Sequence, residues 1–306
     1  MTIYLPIADM SVDVFLLLAM GAAVGFLSGL FGVGGGFLTT PLLMFIGIPP
    51  AVAVGTGVNQ VVAASVSGVL AHMRQRNVDF KMGAVLTAGG LVGSVAGVGL
   101  FTWLRTIGQV DLMVTLSYVL FLGGIGAMMA WESGRTILRR RRGLAQRGKL
   151  HQHTWLHGLP FKTRFRRSRL YISALLPLAI GLVVGVLAAI MGVGGGFIMV
   201  PAMVYLLGMP TAIVIGTSLL QIVFVTAAVT FMQSVGNQTV DVVLALLLLA
   251  GAVVGAQLGS RAGTLLRGEQ LRGLLALLVL AVCIKLGWDL VAIPRDLFSI
   301  GAVVLQ

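Results

Sequence analysis

Two clusters of polar side chains stand in stretches of the chain that are otherwise apolar. In each cluster a threonine precedes a glutamine by four residues, and residues at that spacing share one face of an α-helix. Threonine hydroxyls and glutamine amides donate hydrogen bonds, so such a face suits the oxygens of a small anion. Polar groups in these surroundings face either a cavity or a neighbouring helix, which leaves anion binding and bonding between helices as two interpretations. The clusters are Thr56, Asn59 and Gln60 in one place and Thr217, Ser218 and Gln221 in the other.

The run Gly-Val-Gly-Gly-Gly occurs twice, at residues 32–36 and at residues 192–196. Each run interrupts an apolar helix and is followed by a short apolar segment, residues 37–47 or 197–207. The N-terminus of a helix presents unpaired N–H groups and the positive end of its dipole, which together bind anions. Because glycine has no side chain, a ligand can approach that backbone closely. We therefore predict an anion site that includes Gly34, Gly35, Gly36, Gly194, Gly195 and Gly196, with Thr39 in the first turn of the first short helix.

Close packing between helices is the alternative role for glycine in such a chain. We favour it for Gly89, Gly93 and Gly97, which recur every four residues along one helix face. Nucleotide binding is not expected, because the first run lacks the last glycine of a Gly-x-Gly-x-x-Gly fingerprint and no Lys-Ser or Lys-Thr pair follows it.

Composition places the chain in a membrane. It is 58% hydrophobic and only 10% charged, and apolar runs long enough to cross a bilayer recur along it. The first residues lack a positive n-region and a clear cleavage site, so we do not interpret them as a cleaved signal peptide. A single cysteine, Cys283, excludes an internal disulfide and a thiolate metal cluster. The chain is expected to be a multi-pass protein of the cell membrane, in a bacterium the inner membrane.

The two glycine runs belong to an internal duplication. Gly25 and Pro41 match Gly185 and Pro201, and the match continues downstream through the two polar clusters. In each half we predict a helix up to the glycine break, a short segment too short to cross, and three full spans. The predicted elements are 12–31, 37–47, 50–72, 82–103 and 112–131 in the first half, and 171–191, 197–207, 210–232, 240–259 and 271–288 in the second.

Positive charge in the loops predicts how the two halves are oriented. The loop after the first full span of half one contains Arg74, Arg76 and Lys81, whereas the corresponding loop of half two contains no lysine or arginine. The next loop shows the reverse, with Arg105 alone in half one and three arginines between residues 261 and 272 in half two. Positive charge marks cytoplasmic loops, so equivalent loops should lie on opposite sides. The sequence thus predicts an all-α polytopic membrane protein of two inverted repeats, each with a glycine-broken re-entrant helix pair and three spanning helices.

A basic linker joins the halves. More than half of the lysines and arginines lie between Arg135 and Arg169. Such a segment sets topology and contacts anionic lipid head groups, and we give nucleic acid no role. His151, His153 and His157 have a spacing that suits a metal, but a solvated loop is the preferred interpretation because carboxylates and thiols are lacking nearby. We assign residues 1–132 to the first repeat, 133–170 to this cytoplasmic linker and 171–306 to the second repeat.

The predicted spans contain no set of catalytic side chains. They hold no carboxylate pair, Ser-His-Asp set or metal cluster, so we expect no enzyme, no cofactor and no metal. His72 and Lys285 are ionisable, but both lie near span ends, where an interfacial position is the simpler interpretation. A secondary transporter of a small anion is the predicted class. An anion channel, or a permease for another oxyanion or a carboxylate, is the alternative, and the sequence indicates neither a coupling ion nor an oligomeric state.

The doubled Gly-x-Gly-Gly-Gly-x4-Pro motif, with Gly216, Thr217 and Ser218 downstream, resembles the sulfite exporter TauE/SafE family, also called the 4-toluene sulfonate uptake permeases. The resemblance covers both halves. It implies a plasma-membrane transporter that moves sulfite, sulfonates such as sulfoacetate, or related organosulfur anions. Gly57 follows Thr56 in the first half where the second half has Ser218, so the implied site is unequal in the two halves.

Overall fold

The computed structural model describes residues 2–31, 35–141, 162–165, 167–168, 170–263 and 268–292. Within these ranges the chain is almost entirely helical. The first half contains α1 (Val14–Phe31), α2 (Gly36–Phe45), α3 (Pro50–Arg74), α4 (Phe80–Thr106), α5 (Val110–Ser117) and α6 (Gly123–Arg141), and a π-helical turn at Tyr118–Leu122 joins the last two. The second half contains α7 (Leu175–Met191), α8 (Gly196–Tyr205), α9 (Thr211–Met232), α10 (Val242–Gly263) and α11 (Gly268–Val291), and a second π-helical turn, Gln233–Asn237, extends α9.

Six helical segments of the described chain are long and apolar enough to cross a membrane. They are Pro50–Arg74, Phe80–Thr106, Val110–Glu132, Ile213–Asn237, Val242–Gly259 and Gly273–Val291. Four shorter apolar helices flank the two glycine runs: Val14–Leu30, Gly36–Phe45, Leu175–Met191 and Gly196–Tyr205. The prediction of a helical, multi-pass membrane protein is therefore confirmed, with element ends that differ from the predicted ones by a few residues.

Two short β-hairpins are absent from the sequence-based prediction. Strand β1 (Thr2–Leu5) pairs antiparallel with β2 (Met10–Asp13) before α1, and β3 (Lys162–Phe165) pairs with β4 (Leu170–Ser173) before α7. The second hairpin lies across the predicted end of the linker at residue 170, and α6 continues into the linker as far as Arg141. Residues 142–161 of the linker lie outside the described ranges.

Each hairpin ends in a side chain that accepts an N–H group of the helix after it. The Asp13 carboxylate accepts the Phe15 N–H at 2.8 Å, and the Ser173 hydroxyl accepts the Leu175 N–H at 3.3 Å. The hydrogen bond from Phe15 lowers the pKa of the Asp13 carboxyl. Asp13 caps α1, which begins later than the predicted residue 12 because an N-cap stops helical geometry from extending backward. Helix α7 begins later than the predicted residue 171 because strand β4 occupies residues 170–173.

Two closely packed helix pairs, each with one helix from either half, connect the two halves. Helix α1 packs most extensively against α10, and α4 packs against α7. A β-carbon at Gly25 would lie 2.2 Å from the carbonyl oxygen of Ala252, and one at Gly93 would lie 2.0 Å from that of Leu182. The contacts advance in the same direction along both members of each pair, so the paired helices are parallel. Gly89, Gly93 and Gly97 all contact α7, which confirms their predicted role in helix packing.

Helices α3 and α9 form an antiparallel pair at the centre of the molecule. Gly55 near the start of α3 contacts Thr239 just beyond α9, and Gly68 near its end contacts Leu219 near the start of α9. Beside this pair, the Phe37 and Phe197 rings from the first turns of α2 and α8 stack with centroids 5.1 Å apart. The two glycine breaks therefore meet inside the protein.

Candidate functional site

A cavity of about 620 Å³ lies between α1, α3 and α10. Glycines 25 and 29 and Ser28 line it from α1, and small residues of α3 line the facing wall. Of the predicted site residues, Gly35 and Gln60 lie on its surface. Within the described chain the lining holds no carboxylate, lysine or arginine. It comprises Gly25, Ser28, Gly29, Gly35, Gln60, Ala63, Ala64, Ser67, Gly68, His72, Leu219, Leu249, Ala252, Val253, Ala256 and Gln257.

Gly35 brings the N-terminus of α2 to the cavity. It is the capping residue of that helix, with φ −70° and no side chain to cover the first turn. Its carbonyl accepts the N–H groups of Leu38 at 3.0 Å and of Thr39 at 3.2 Å. The first N–H groups of a helix have no partner within it, and of this end of α2 only Gly35 is part of the described cavity lining. A β-carbon here would lie 2.6 Å from Val24 Cγ1, which shows how little space the site leaves for a side chain.

Gln60 and Thr39 form a buried hydrogen-bonded pair beside Gly35. Thr39 is 1% exposed and Gln60 is 4% exposed. The Thr39 hydroxyl donates to Gln60 Oε1 at 2.8 Å. Thr39, which was predicted to belong to the anion site, contacts Gln60 but does not lie on the cavity surface.

The cavity extends along α3 from Gln60 to His72. Twelve residues of helix correspond to about 18 Å, so it runs from the glycine break toward the end of the helix. His72 lies at that end, and its buried Nδ1 has no hydrogen-bond partner within the described chain. Arg74 ends α3, and Arg76 and Lys81 follow in the loop and in the first turn of α4, so basic side chains lie near the His72 end of the cavity.

The second glycine run is packed against protein. Gly194 and Gly195 have φ values of +72° and +77°, which favour glycine. A β-carbon at Gly194 would lie 2.4 Å from Val61, and one at Gly195 would lie 2.3 Å from Val184. Residues 194–196 are buried and, like their neighbour Gly36, lie outside the cavity lining. Gly34 lies outside the described residues.

Thr56 and Thr217 make hydrogen bonds between helices in matching positions of the two halves. The Thr217 hydroxyl accepts the Asp79 N–H before α4, and the Thr56 hydroxyl accepts the Asp241 N–H before α10, both at 3.0 Å. Asp79 also accepts Ser168 of the second hairpin, and Asp241 accepts Ile7 of the first. These two threonines were expected at the anion site. In this conformation Thr56 instead connects α3 to the start of α10, and Thr217 connects α9 to the start of α4.

Three further predicted residues do not reach the cavity lining. Ser218 donates to the carbonyl of Ile215 in its own helix at 3.0 Å. The buried Asn59 Nδ2 lacks a partner within the described chain. Gln221 is fully buried, and neither of its amide atoms has a hydrogen-bond partner there.

A polar network that the sequence did not single out lies at the opposite end of the α3–α9 pair from His72. We call Gln233, Asn237, Thr102 and Arg105 the Gln233 network. Asn237 Nδ2 donates to Gln233 Oε1 at 2.7 Å, and Thr102 donates to Asn237 Oδ1 at 3.0 Å. The Arg105 guanidinium donates to the Asn237 carbonyl. The repeat alignment is the signal that would have found it, because Gln233 occupies the position of His72.

An apolar cluster lies beneath the Gln233 network, where the second half would have its counterpart of the cavity. Val225 and Val229 of α9 occupy the positions of the cavity-lining Ala64 and Gly68. The cluster is closely packed and consists of Val58, Val98, Ala188, Ala189, Val225 and Val229.

Metal binding finds no support within the described chain. No group of three histidine, cysteine or acidic side chains there is placed to hold an ion. The candidate residues His151, His153 and His157 lie outside the described ranges.

Spanning helices packed around an internal cavity are the architecture of a multi-pass membrane transporter. The comparisons with known proteins agree with this class. The model of the family described as sulfite exporter TauE/SafE matches residues 17–286, and the chain belongs to that family. The family is one of membrane transporters, and the chain is a multi-pass protein of the cell membrane.

The chain is similar to several curated proteins over most of its length. The probable membrane transporter protein YjnA of Bacillus subtilis is 31% identical over 281 residues, covering 90% of this chain and 100% of the relative. A probable membrane transporter protein of Xylella fastidiosa is 28% identical over 272 residues, covering 88% of this chain and 92% of the relative. No solved structure gave a significant match.

Proposed function

We propose that the protein is a secondary transporter of small sulfur-containing anions, such as sulfite, sulfoacetate or other organosulfonates. The observation that carries this proposal is the placement of Gly35 and the Gln60 amide at the inner end of a cavity whose described lining lacks carboxylates. Uncharged N–H donors bind an anion without a buried cation that would hold it too tightly for release. The family's description as a sulfite exporter supports sulfur oxyanions as the substrate class.

The proposed architecture is a pair of inverted repeats. Helices α3 and α9 occupy equivalent positions and run antiparallel, and short connections reverse the chain before α4 and α10. Helix α1 is parallel to α10, and α7 is parallel to α4, so α1 and α7 point in opposite directions. This is the arrangement expected for repeats related by a two-fold axis in the membrane plane.

The short helices α2 and α8 are proposed to be re-entrant. Each has ten residues, or about 15 Å, which is half the thickness of the hydrocarbon layer. Paired with α1 and α7, they return the chain to its starting side. Both breaks would then lie near the middle of the bilayer, where backbone groups must be buried or line a cavity.

We propose that the mouth of the cavity faces the cytoplasm. Arg74, Arg76 and Lys81 lie at that end, and Arg167 of the second hairpin donates to the Val78 carbonyl beside them. Positive charge marks the cytoplasmic side. The same face is suited to contact anionic lipid head groups through the 135–169 linker.

Alternating access would account for the difference between the two halves within the described chain. The cavity reaches toward His72, whereas the matching region of the second half is filled by apolar side chains and capped by the Gln233 network. During transport, the cavity of the first half would close while the corresponding region of the second half opens. Closure at one end favours a carrier over an anion channel. The uncharged donors would also accept another small oxyanion or a carboxylate, which keeps such a permease as the second candidate.

Flux measurements in proteoliposomes test the proposal. We expect saturable uptake of labelled sulfite or sulfoacetate into vesicles containing the protein, measured with and without a pH gradient, and taurine tests the preference for a net anion. Gly35→Leu should abolish flux, because a side chain there would collide with Val24 of α1 and displace the first turn of α2 beside the cavity. The matched control is Gly99→Leu, since Gly99 is exposed with open space around its α-carbon. Wild-type flux by a Gly35→Leu protein that inserts and purifies normally would refute the site.

A further inference from the structure

We infer that Thr39 is a positioning residue that sets the charge preference of the site by fixing which end of the Gln60 amide faces the cavity. The inference rests on the proposed function, in that the cavity is taken to hold the transported anion. It goes further by assigning recognition to one side chain in the first half and by naming the group that orients it.

The Thr39 hydroxyl has a nearer and a farther acceptor for its hydrogen. It lies 3.2 Å from the Gly35 carbonyl and 2.8 Å from Gln60 Oε1. The Gly35 carbonyl already accepts the N–H groups of Leu38 and Thr39, and a carbonyl oxygen has two lone pairs. The hydroxyl hydrogen is therefore directed to Gln60 Oε1.

This bond decides what Gln60 offers to a ligand. With Oε1 held by Thr39, the Nε2 group and its two hydrogens are left for the cavity that Gln60 lines. A reversed amide would present an oxygen lone pair there and repel an anion. In addition, the reversal would leave the Thr39 hydroxyl only the Gly35 carbonyl as acceptor, which is farther away at 3.2 Å and already accepts two N–H groups, so the present orientation is favoured.

The second half provides an internal comparison. Gln221 occupies the position of Gln60, but the position of Thr39 is occupied by Met199, which is fully buried and has no hydroxyl. Both amide atoms of Gln221 lack a partner within the described chain. Gln60 is thus held in one orientation by Thr39. Gln221, which has Met199 at the corresponding position, has no hydrogen-bond partner within the described chain.

With its amide hydrogens toward the cavity, Gln60 favours anions over cations. A pair of carboxamide hydrogens suits an unprotonated oxygen of a sulfite, sulfonate or similar oxyanion. It offers nothing to a cation, because no acceptor is turned toward the ligand at this point. The anion is therefore bound mainly by the first half of the duplicated chain.

Three variants separate the orienting bond from the donor. Thr39→Val removes the hydroxyl at nearly constant volume, and Thr39→Ser retains it. Gln60→Glu keeps an oxygen that accepts from Thr39 but replaces the N–H donors with a carboxylate oxygen. The matched control is Thr226→Val, because Thr226 is also fully buried but its hydroxyl bonds to the Ile222 carbonyl of its own helix.

Sulfite flux in proteoliposomes is the first readout. We expect Thr39→Val to raise the KM for sulfite about fivefold to tenfold with little change in maximal rate, as the loss of one orienting hydrogen bond implies. Thr39→Ser should restore the wild-type KM, and Gln60→Glu should abolish anion uptake. Thr226→Val should leave KM unchanged. An unaltered KM in Thr39→Val, or sulfite uptake by Gln60→Glu, would overturn the inference.

Thermal stabilisation of the detergent-solubilised protein by anions is the second readout. Sulfite, sulfoacetate, sulfate and phosphate are added to the wild type and to Thr39→Val. A smaller anion-induced rise in Tm for Thr39→Val supports the inference even if no flux is found, in which case only the proposed transport fails. No rise with any of the four anions in the wild type would overturn the inference itself.

Discussion

Asn237 links the two parts of the Gln233 network, which lies at the end of the protein that the proposed topology places outside the cell. Its side chain bonds to Gln233 at 2.7 Å and to Thr102 at 3.0 Å. Replacement by alanine removes both bonds, whereas the Arg105 bond to the main-chain carbonyl is retained. Two neutral hydrogen bonds contribute about 1–2 kcal/mol to the closed form, given partial replacement by water. The population open to the outside should therefore rise about fivefold to thirtyfold.

Cysteine labelling measures that population. The background is Cys283→Ser, in which the serine hydroxyl can keep the bond that the thiol makes to the Val119 carbonyl. Ala228→Cys reports on the second half, because position 228 corresponds to the cavity-lining Ser67. With a membrane-impermeant thiol reagent outside, Asn237→Ala should speed labelling of Cys at 228 by the same factor.

The control also replaces an asparagine by alanine, but at the opposite end of the α3–α9 pair. Asn77→Ala removes an exposed side chain that bonds only to nearby Gln75, and we expect no change in labelling from outside. If Asn237→Ala lowers the melting temperature but labels no faster than Asn77→Ala, the network holds the fold together without closing a path, and the gating argument is refuted.

Two further predictions concern stability, measured as thermal unfolding in detergent. Gly93→Ala places a β-carbon 2.0 Å from the Leu182 carbonyl oxygen, so α4 and α7 must separate at a cost of about 1–3 kcal/mol. The control is Gly99→Ala, which should change the melting temperature little because the space around residue 99 is open. Equal melting temperatures for the two variants would contradict the packing role of Gly93. Asp79→Ala leaves the donors of Met82 and Ser168 without their acceptor and should cost about 2–4 kcal/mol. The exposed Asp111→Ala serves as its control, and matching losses would show that the buried hydrogen bonds contribute nothing.

The helices and their breaks could be predicted because they follow from local sequence. Apolar length defines the spans, and three consecutive glycines destabilise a helix enough to favour a break. The four-residue spacing of Gly89, Gly93 and Gly97 predicted packing correctly, since close approach needs small residues on one face. Gly35 and Gln60 were proposed as site residues from glycine content and polarity alone, and both line the cavity.

The remaining features depend on contacts between the halves. Thr56 and Thr217 have the polarity of a binding site, but each meets an aspartate N–H that lies more than a hundred residues away in sequence, at separations of 185 and 138. The hairpins have strands of only four residues, too short for a periodic signal beside strongly apolar helices. The sequence predicted that the two halves of the site differ, but it did not indicate that the cavity lies in the first half and that apolar side chains fill the corresponding region of the second.

The parallel pairing of α1 with α10 has a consequence for biogenesis. Helix α1 leaves the ribosome among the first segments, yet the helix that covers its glycine face is made only after most of the chain has been synthesised. Until then Gly21, Gly25 and Gly29 face lipid or other temporary neighbours, and the first half cannot complete its own packing. Neither half is therefore an independent folding unit, and a ribosome that stalls in the linker would leave a fragment suited to degradation by membrane proteases.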